Sequence, residues 1–556
     1  MSRPIPNLVP HAVGLAFALL FALPVLPAPT QMALGEACGM AGNDLWSMWA
    51  SVDGAQWEAG QLGFPAAASS PDGFAPAVWL LGHALMPVLG NPIAVWNTII
   101  LMGFIALVLG TIALGRRVSP DAPNVAQLTL VLAVVGATAW SPLLRQLGAG
   151  VMPLMLVPAT LALVHAWVQP QSSWTTGVAA AAMFTLSTLG HWGGSVLVLL
   201  MVPPMVVVIA QHLEGRQAWR RAFGALFPGL VIGMLHIVSS HHHLPGLPIE
   251  AGDIGPAWIH QVGSALVLPA TAAVALPSLG MLLLALAGVS ARPRSTAGWL
   301  LTATWGILLA AGTVGGTPSR ILPVNHLVDN IPLLENLYGW WAVAPLVAIP
   351  LGIAAMRGVE ALHRARRDAL AWAVLGLSLV DQAIPAAMVT SPQRIAPRPS
   401  AAVQTALSSL PAGGVLQLPI ETEDCTLKGK HRLWQRFHQR PVSTAGLDGK
   451  DGGLQVSYIA RISKDLANNP PPRASADSPL NPRVFMCAQA DIATLIDLGF
   501  AAVSLDLQAG AHPALSESLE MVLGPPMLQD DEAMVWALAD VAHADTLQPC
   551  PLPIIQ

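Results

Sequence analysis

The sequence predicts a polytopic α-helical membrane domain with about eleven transmembrane helices, followed by a small extracytoplasmic α/β domain. Three observations predict it. The chain is 54% hydrophobic and only 10% charged, whereas soluble proteins carry roughly 25% charged residues. Long apolar runs recur as far as residue 390, and arginines gather at alternate ends of these runs. Beyond that point the composition is mixed, so we assign 1–390 to the membrane domain and 391–556 to the soluble domain.

Apolar runs of about seventeen or more residues are long enough to cross a bilayer as helices. A shorter apolar segment, 75–89, is predicted to be interfacial or re-entrant. The predicted spans are 11–30, 92–114, 124–141, 150–168, 174–190, 194–212, 222–239, 264–290, 298–314, 339–356 and 369–389.

The distribution of basic residues predicts the orientation. All four lysines lie in the C-terminal domain. The arginines that gather at alternate ends of the spans are Arg3, Arg116, Arg117, Arg216, Arg220, Arg221, Arg292, Arg294, Arg357, Arg364, Arg366 and Arg367. Because short cytoplasmic loops are rich in arginine and lysine, these ends are predicted to be cytoplasmic. The N-terminus is then cytoplasmic, and after an odd number of crossings the C-terminal domain is extracytoplasmic.

The C-terminal domain begins after a proline-rich linker, SPQRIAPRPS. Three apolar runs, 415–420, 501–507 and 533–538, are predicted to be strands, and helical patterns lie between them at 430–439 and 513–524. Three of the four cysteines lie in this domain. In an oxidising compartment they could form one disulfide, and free thiols are the alternative.

The first outer loop, 31–74, is long, acidic and rich in tryptophan. Its segment DLWSMWASVDGAQWEAG is predicted to form an amphipathic interfacial helix. Trp46, Trp49 and Trp57 are predicted to lie at the level of the lipid headgroups, and Asp44, Asp53 and Glu58 in water. Asp44 is also a candidate functional residue because it follows Gly42 and Asn43 just outside the first span.

This arrangement of a first helix, a large outer loop that opens on a Gly-x-Asp element, many spans and an outer C-terminal domain resembles the GT-C superfamily of glycosyltransferases. The segments 90–118, 315–362 and 431–446 are also similar to such proteins. The resemblance implies transfer of a sugar from a polyprenyl-phosphate donor. It further implies that Asp44 acts as a general base or metal ligand. Asn43 interrupts the usual Gly-Asp pair, and the outer loops contain no DxD motif, so a divalent metal is left open.

A lipid phosphate on the outer face needs a fixed cation, and guanidinium groups pair well with phosphate oxygens. Arg145 and Arg320 are the arginines predicted to lie on the outer side of the membrane domain, where a structural ion pair is the alternative. Outer histidines are further candidates for substrate binding. His191 lies among glycines that allow a ligand to approach, His241 begins a run of three histidines after a span, and His326 lies in a late outer loop.

Two other functions remain open. A non-catalytic scaffold or assembly subunit would keep a GT-C-like shell and bind a protein partner through its extracytoplasmic domain. A transporter or flippase would carry charges within its spans, and such charges are nearly absent. The acidic balance gives no basis for nucleic-acid binding. The scarcity of lysine, with abundant alanine, glycine and proline, indicates a bacterial protein of the inner membrane with a periplasmic C-terminal domain.

Overall fold

The computed structural model describes residues 8–22, 25–35, 40–52, 75–137, 139–211, 215–240, 278–310, 340–389, 394–395, 398–419, 425–443, 459, 482–509 and 513–541. The chain divides into two compact units. Unit 1 comprises Met1–Thr30 and Gly73–Arg394, and unit 2 comprises Gln31–Asp72 and Ile395–Gln556. The first outer loop therefore groups with the C-terminal part of the chain and not with the helices that flank it.

Unit 1 is mainly helical in its described residues. Its helices are α1 Val9–Ala22, α3 Pro76–Leu89, α4 Pro92–Val118, α5 Asn124–Val135, α6 Trp140–Leu147, α7 Met152–Met155, α8 Val157–Val168, α9 Trp174–Ser187, α10 Trp192–Gln211, α11 Arg216–Ser240, α12 Leu279–Ala291, α13 Pro293–Ala310, α14 Ala344–Arg364 and α15 Asp368–Val389.

Five helical segments of unit 1 are long and apolar enough to cross a membrane. They are Pro92–Val118, Leu143–Val168, Trp192–Gln211, Arg216–Ser240 and Ala344–Arg364. Each coincides with a predicted span, so the chain is a membrane protein with a mostly helical fold. Shorter apolar helices occupy parts of other predicted spans, such as Val9–Leu20 and Asn124–Val135. The total of eleven spans stays a prediction.

Unit 2 is built on a four-stranded sheet. Its elements are β1 Ala33–Leu34, α2 Met40–Val52, β2 Arg394–Ile395, α16 Ala401–Ser409, β3 Gly414–Leu418, α17 Cys425–His438, α18 Pro482–Asp497, β4 Phe500–Asp506, α19 Pro513–Leu523, β5 Leu528–Gln529 and β6 Ala533–Ala537. The sheet order is β3-β4-β6-β5, and β1 pairs with β2 in a separate two-stranded sheet. β3 runs parallel to β4, and β6 is antiparallel to both β4 and β5.

The two faces of this sheet differ in polarity. Leu416, Val503 and Trp536 face a hydrophobic core that includes side chains of α18 and α19. Because side chains alternate along a strand, Gln417, Ser504 and Asp506 project from the opposite face, and all of them are buried. The polar face of the sheet is therefore also shielded from solvent. The three predicted strands and both predicted helices of this region are confirmed within a few residues.

Cys487 of α18 is disulfide-bonded. The free-thiol alternative is therefore wrong for Cys487.

Candidate active site

Asp44 lies within α2 and is only 4% exposed. Among the residues that the structure describes, no donor reaches either carboxylate oxygen. Burial without a partner disfavours the charged form, so the pKa of Asp44 is raised well above its ordinary value of 3.8. A carboxylate with a raised pKa binds a proton more tightly than an ordinary carboxylate, which favours a role as proton acceptor.

The prediction of a water-exposed interfacial helix is wrong for the described part of this segment. The Trp46 Nε1–H donates to Gln435 Oε1 over 3.1 Å, and the rings of Trp49 and Phe437 form a T-shaped contact with centroids 4.9 Å apart. Both contacts join α2 to α17, so Trp46 and Trp49 pack against protein. The sequence pattern is that of a half-apolar helix, but it does not reveal which surface covers the apolar side. Residues 53–74 lie outside the described residues.

A second titratable cluster occupies the polar face of the sheet in unit 2. Asp506, at the end of β4, accepts hydrogen bonds at Oδ2 from Lys430 Nζ at 2.8 Å and His431 Nε2 at 3.2 Å. Lys430 also lies 3.7 Å from Glu532 and 4.5 Å from the ring centre of Trp434. Burial opposes the charge on Asp506, but the hydrogen bonds and charges of His431 and Lys430 lower its pKa overall. These contacts hold α17 against the sheet.

Sequence reasoning did not single out this cluster. The signal for it was an acidic residue at the end of a predicted strand, 501–507, together with the basic run Lys430–Arg432 in a predicted helix. Their contact depends on how a helix packs across the sheet, over a separation of 76 residues for Lys430 and Asp506. Local periodicity carries no information at that distance.

His191 lies in the turn between α9 and α10 and is 1% exposed. Its Nδ1 accepts a hydrogen bond from the Gly193 N–H over 3.3 Å. The neighbouring Gly190 carbonyl lies 2.8 Å from His236 Nε2 of α11, and a Cβ atom at Gly190 would lie 3.2 Å from Pro153. The glycines in this turn therefore allow neighbouring helices to approach closely. Whether they also admit a ligand stays a prediction.

Arg145 lies in the last turn of α6 and is exposed. The chain then passes through a 3-10 turn, Gly148–Val151, into α7, which contains the Pro153 that lies beside Gly190. The segments that carry Arg145 and His191 are thus neighbours within unit 1, while Asp44 belongs to unit 2. The other predicted substrate-binding residues, Arg320, His326 and His241, lie outside the described residues.

The described part of the chain offers no complete set of metal ligands. Within the described ranges, no group of three or more histidine, cysteine, aspartate or glutamate side chains is arranged to hold a metal ion. The buried carboxylate of Asp44 could serve as one ligand, but the described residues supply no set to complete the coordination.

Comparison with solved structures identifies the fold. The arabinofuranosyltransferase AftD from Mycobacteria superposes with a TM-score of 0.58 at 14% identity, over 97% of this chain and 42% of that chain. The apo oligosaccharyltransferase of Archaeoglobus fulgidus gives 0.47 at 12% identity, over 92% of this chain and 71% of that chain. ArnT from Cupriavidus metallidurans gives 0.45 at 13% identity, with 95% and 98% covered.

The superposition with AftD shows that this chain shares the fold of that arabinofuranosyltransferase over most of its own length. It spans less than half the length of AftD. No protein family and no curated protein matches the chain by sequence.

Proposed function

We propose that this chain is a membrane glycosyltransferase that moves a sugar from a polyprenyl-phosphate donor to an extracytoplasmic acceptor. The observation that carries the proposal is the carboxyl group of Asp44, buried and without a donor among the described residues, in the first outer loop of a chain with a GT-C-like fold. A buried acid of this kind costs stability. A protein that only provides a scaffold has no chemical reason to keep it.

The reaction is a substitution at the anomeric carbon of the sugar. Asp44 accepts the proton of the acceptor hydroxyl, whose oxygen forms a bond to the anomeric carbon. The bond from that carbon to the phosphate oxygen breaks, and the electron pair leaves with the polyprenyl phosphate. Cationic or hydrogen-bonding groups stabilise the departing phosphate. The residues proposed for that role are Arg145, Arg320, His191, His241 and His326.

The proposal includes the topology. Eleven spans place the N-terminus in the cytoplasm and unit 2 on the periplasmic side of a bacterial inner membrane. Glu360 of α14 forms ion pairs with Arg292 and Arg357 and accepts a hydrogen bond from Ser119, so arginine-rich ends of three helices lie together, which supports their assignment to one side of the membrane. The disulfide of Cys487 supports an oxidising compartment for unit 2.

The test is a transfer assay on the purified full chain with a radiolabelled sugar on polyprenyl phosphate. The wild type is expected to move label to an acceptor, and Asp44→Asn to lower the rate by at least about a hundredfold, the usual contribution of a positioned base. Asp531→Asn, a matched change at an exposed acid of unit 2, should keep full activity.

Three results would count against parts of the proposal. Full activity of Asp44→Asn would remove the role of Asp44. Transfer from a nucleotide sugar alone would replace the donor class. No transfer by a folded wild-type protein from either donor would favour the scaffold function. A parallel reaction with EDTA decides whether a divalent metal takes part.

A further inference from the structure

Glu360 organises a cluster of arginines at one end of unit 1. Its side chain is 3% exposed, and its Oε2 atom lies 3.4 Å from Arg292 Nη1, 3.5 Å from Arg357 Nη1 and 3.4 Å from Arg364 Nη2. The hydroxyl of Ser119, just after α4, donates to the other oxygen, Oε1. One buried carboxylate therefore joins the end of α4, the turn after α12 and the end of α14.

The cluster carries more positive than negative charge. Three guanidinium groups face one carboxylate, and no other acid of the described residues pairs with them. A guanidinium group has five N–H donors in a rigid fork. Within the described ranges, Arg292 and Arg364 each donate only to Glu360, and their side chains are 35% and 55% exposed. Their remaining donors can therefore reach an outside anion.

The position of the cluster favours a lipid headgroup over a small anion in solution. α4 and α14 are both candidate spans, so their ends lie at the level of the headgroups. α12 leads directly into Arg292 and exposes Leu283 and Leu286, which are 49% and 50% exposed. A lipid bound here can place its phosphate on the arginines and its acyl chains along these leucines.

We propose that Arg292, Arg357 and Arg364, held by Glu360, form a binding site for the phosphate headgroup of an anionic phospholipid. The buried carboxylate fixes the three guanidinium groups before the lipid arrives, so less side-chain freedom is lost on binding. The bound headgroup compensates the excess positive charge. It also stabilises the packing of α4, α12 and α14 against one another. This site does not depend on the proposed transferase activity.

The test measures lipid binding to the purified full chain in detergent by native mass spectrometry, with the thermal unfolding midpoint as a second readout. Phosphatidylglycerol is expected to bind at least roughly tenfold more tightly than phosphatidylcholine and to raise the midpoint. The double variant Arg292→Gln/Arg364→Gln should lose roughly tenfold in phosphatidylglycerol affinity. The matched control Arg216→Gln/Arg220→Gln removes the same charge from exposed positions of α11 and should bind as the wild type does.

Several results would overturn the proposal. Equal binding of the two lipids by the wild type would exclude an anionic headgroup site, whether or not the variants fold. An equal loss in the control double variant would show a general attraction of basic loops to anionic lipid. Inorganic phosphate alone raising the midpoint as much as phosphatidylglycerol would assign the arginines to a free anion.

Arg292→Lys/Arg364→Lys keeps the charge and should bind phosphatidylglycerol less tightly than the wild type does, because lysine lacks the guanidinium fork.

Discussion

At the scale of single residues, Asp44 is unusual. Its carboxyl group is buried, and no described residue donates a hydrogen bond to it. Removing a charged carboxylate from water without a partner is costly, so the group shifts its pKa upwards instead. Functional sites often keep such unfavourable groups because the chemistry needs them. The raised pKa of Asp44 therefore affects both stability and the proposed catalysis.

Replacing Asp44 by asparagine should stabilise the protein at neutral pH. The folded-state pKa of Asp44 lies above the unfolded value of 3.8, so the folded wild type loses stability as pH rises from that value through the raised pKa. An asparagine side chain does not titrate, so the variant escapes this loss. The expected result is an unfolding midpoint a few degrees higher than that of the wild type at pH 7, with the difference vanishing below about pH 4.

The measurement is thermal unfolding by tryptophan fluorescence across this pH range, with Asp531→Asn as the control. A variant that is equally stable at pH 7, or more stable only in acid, would contradict the buried, unpartnered carboxyl group.

The sequence was informative about the position of Asp44 but not about its surroundings. The apolar run 11–30 predicted its place just outside the first span, and the resemblance to GT-C proteins implied its role. Its burial could not be predicted, because the partner of the neighbouring Trp46 is Gln435, 389 residues away in the chain.

At the scale of secondary-structure elements, the contact of α2 with α17 is one of the contacts that join the first outer loop to the C-terminal part of unit 2. Trp46 contributes a buried hydrogen bond and Trp49 an aromatic contact to this interface. On its other side α17 is bound to the sheet through the ion pairs of Asp506. α17 is therefore basic and buried at once, a combination that neither hydrophobic periodicity nor charge count predicts.

Trp49→Ala should detach α2 from α17. Truncating a buried tryptophan costs about 3–5 kcal/mol, enough to weaken the packing of α2 against α17. The expected result is faster amide hydrogen exchange across Met40–Val52, with little change in β4 and β6. The control is Trp174→Ala, which removes a tryptophan that is 72% exposed. Unchanged protection of α2 in Trp49→Ala would show that other contacts hold the loop.

The strands of unit 2 were predictable because each is a short apolar run with flanking turns, and their observed limits agree closely with the prediction. Their order was not predictable. β3 pairs in parallel with β4, although α17 and α18 lie between them in the chain, and only the folded chain fixes that pairing.

At the scale of the whole molecule, two features of the sequence predicted the membrane fold: the spacing of apolar runs and the periodic placement of arginine. The contacts of Glu360 with Arg292, Arg357 and Ser119 show that separate arginine-rich helix ends share one location. Glu360 itself was not singled out, because one acid at the end of an apolar helix looks like any solvated residue. The sugar, the acceptor and the metal requirement depend on site geometry and not on such patterns.

The most direct test of the proposed transferase is a structure of the full chain in a lipid bilayer with a non-hydrolysable polyprenyl-phosphate sugar. We expect the sugar to lie beside the carboxyl group of Asp44, with the phosphate held by Arg320 or Arg145. A donor bound far from Asp44, or a closed and purely apolar surface around Asp44 with no donor bound, would contradict the assignment.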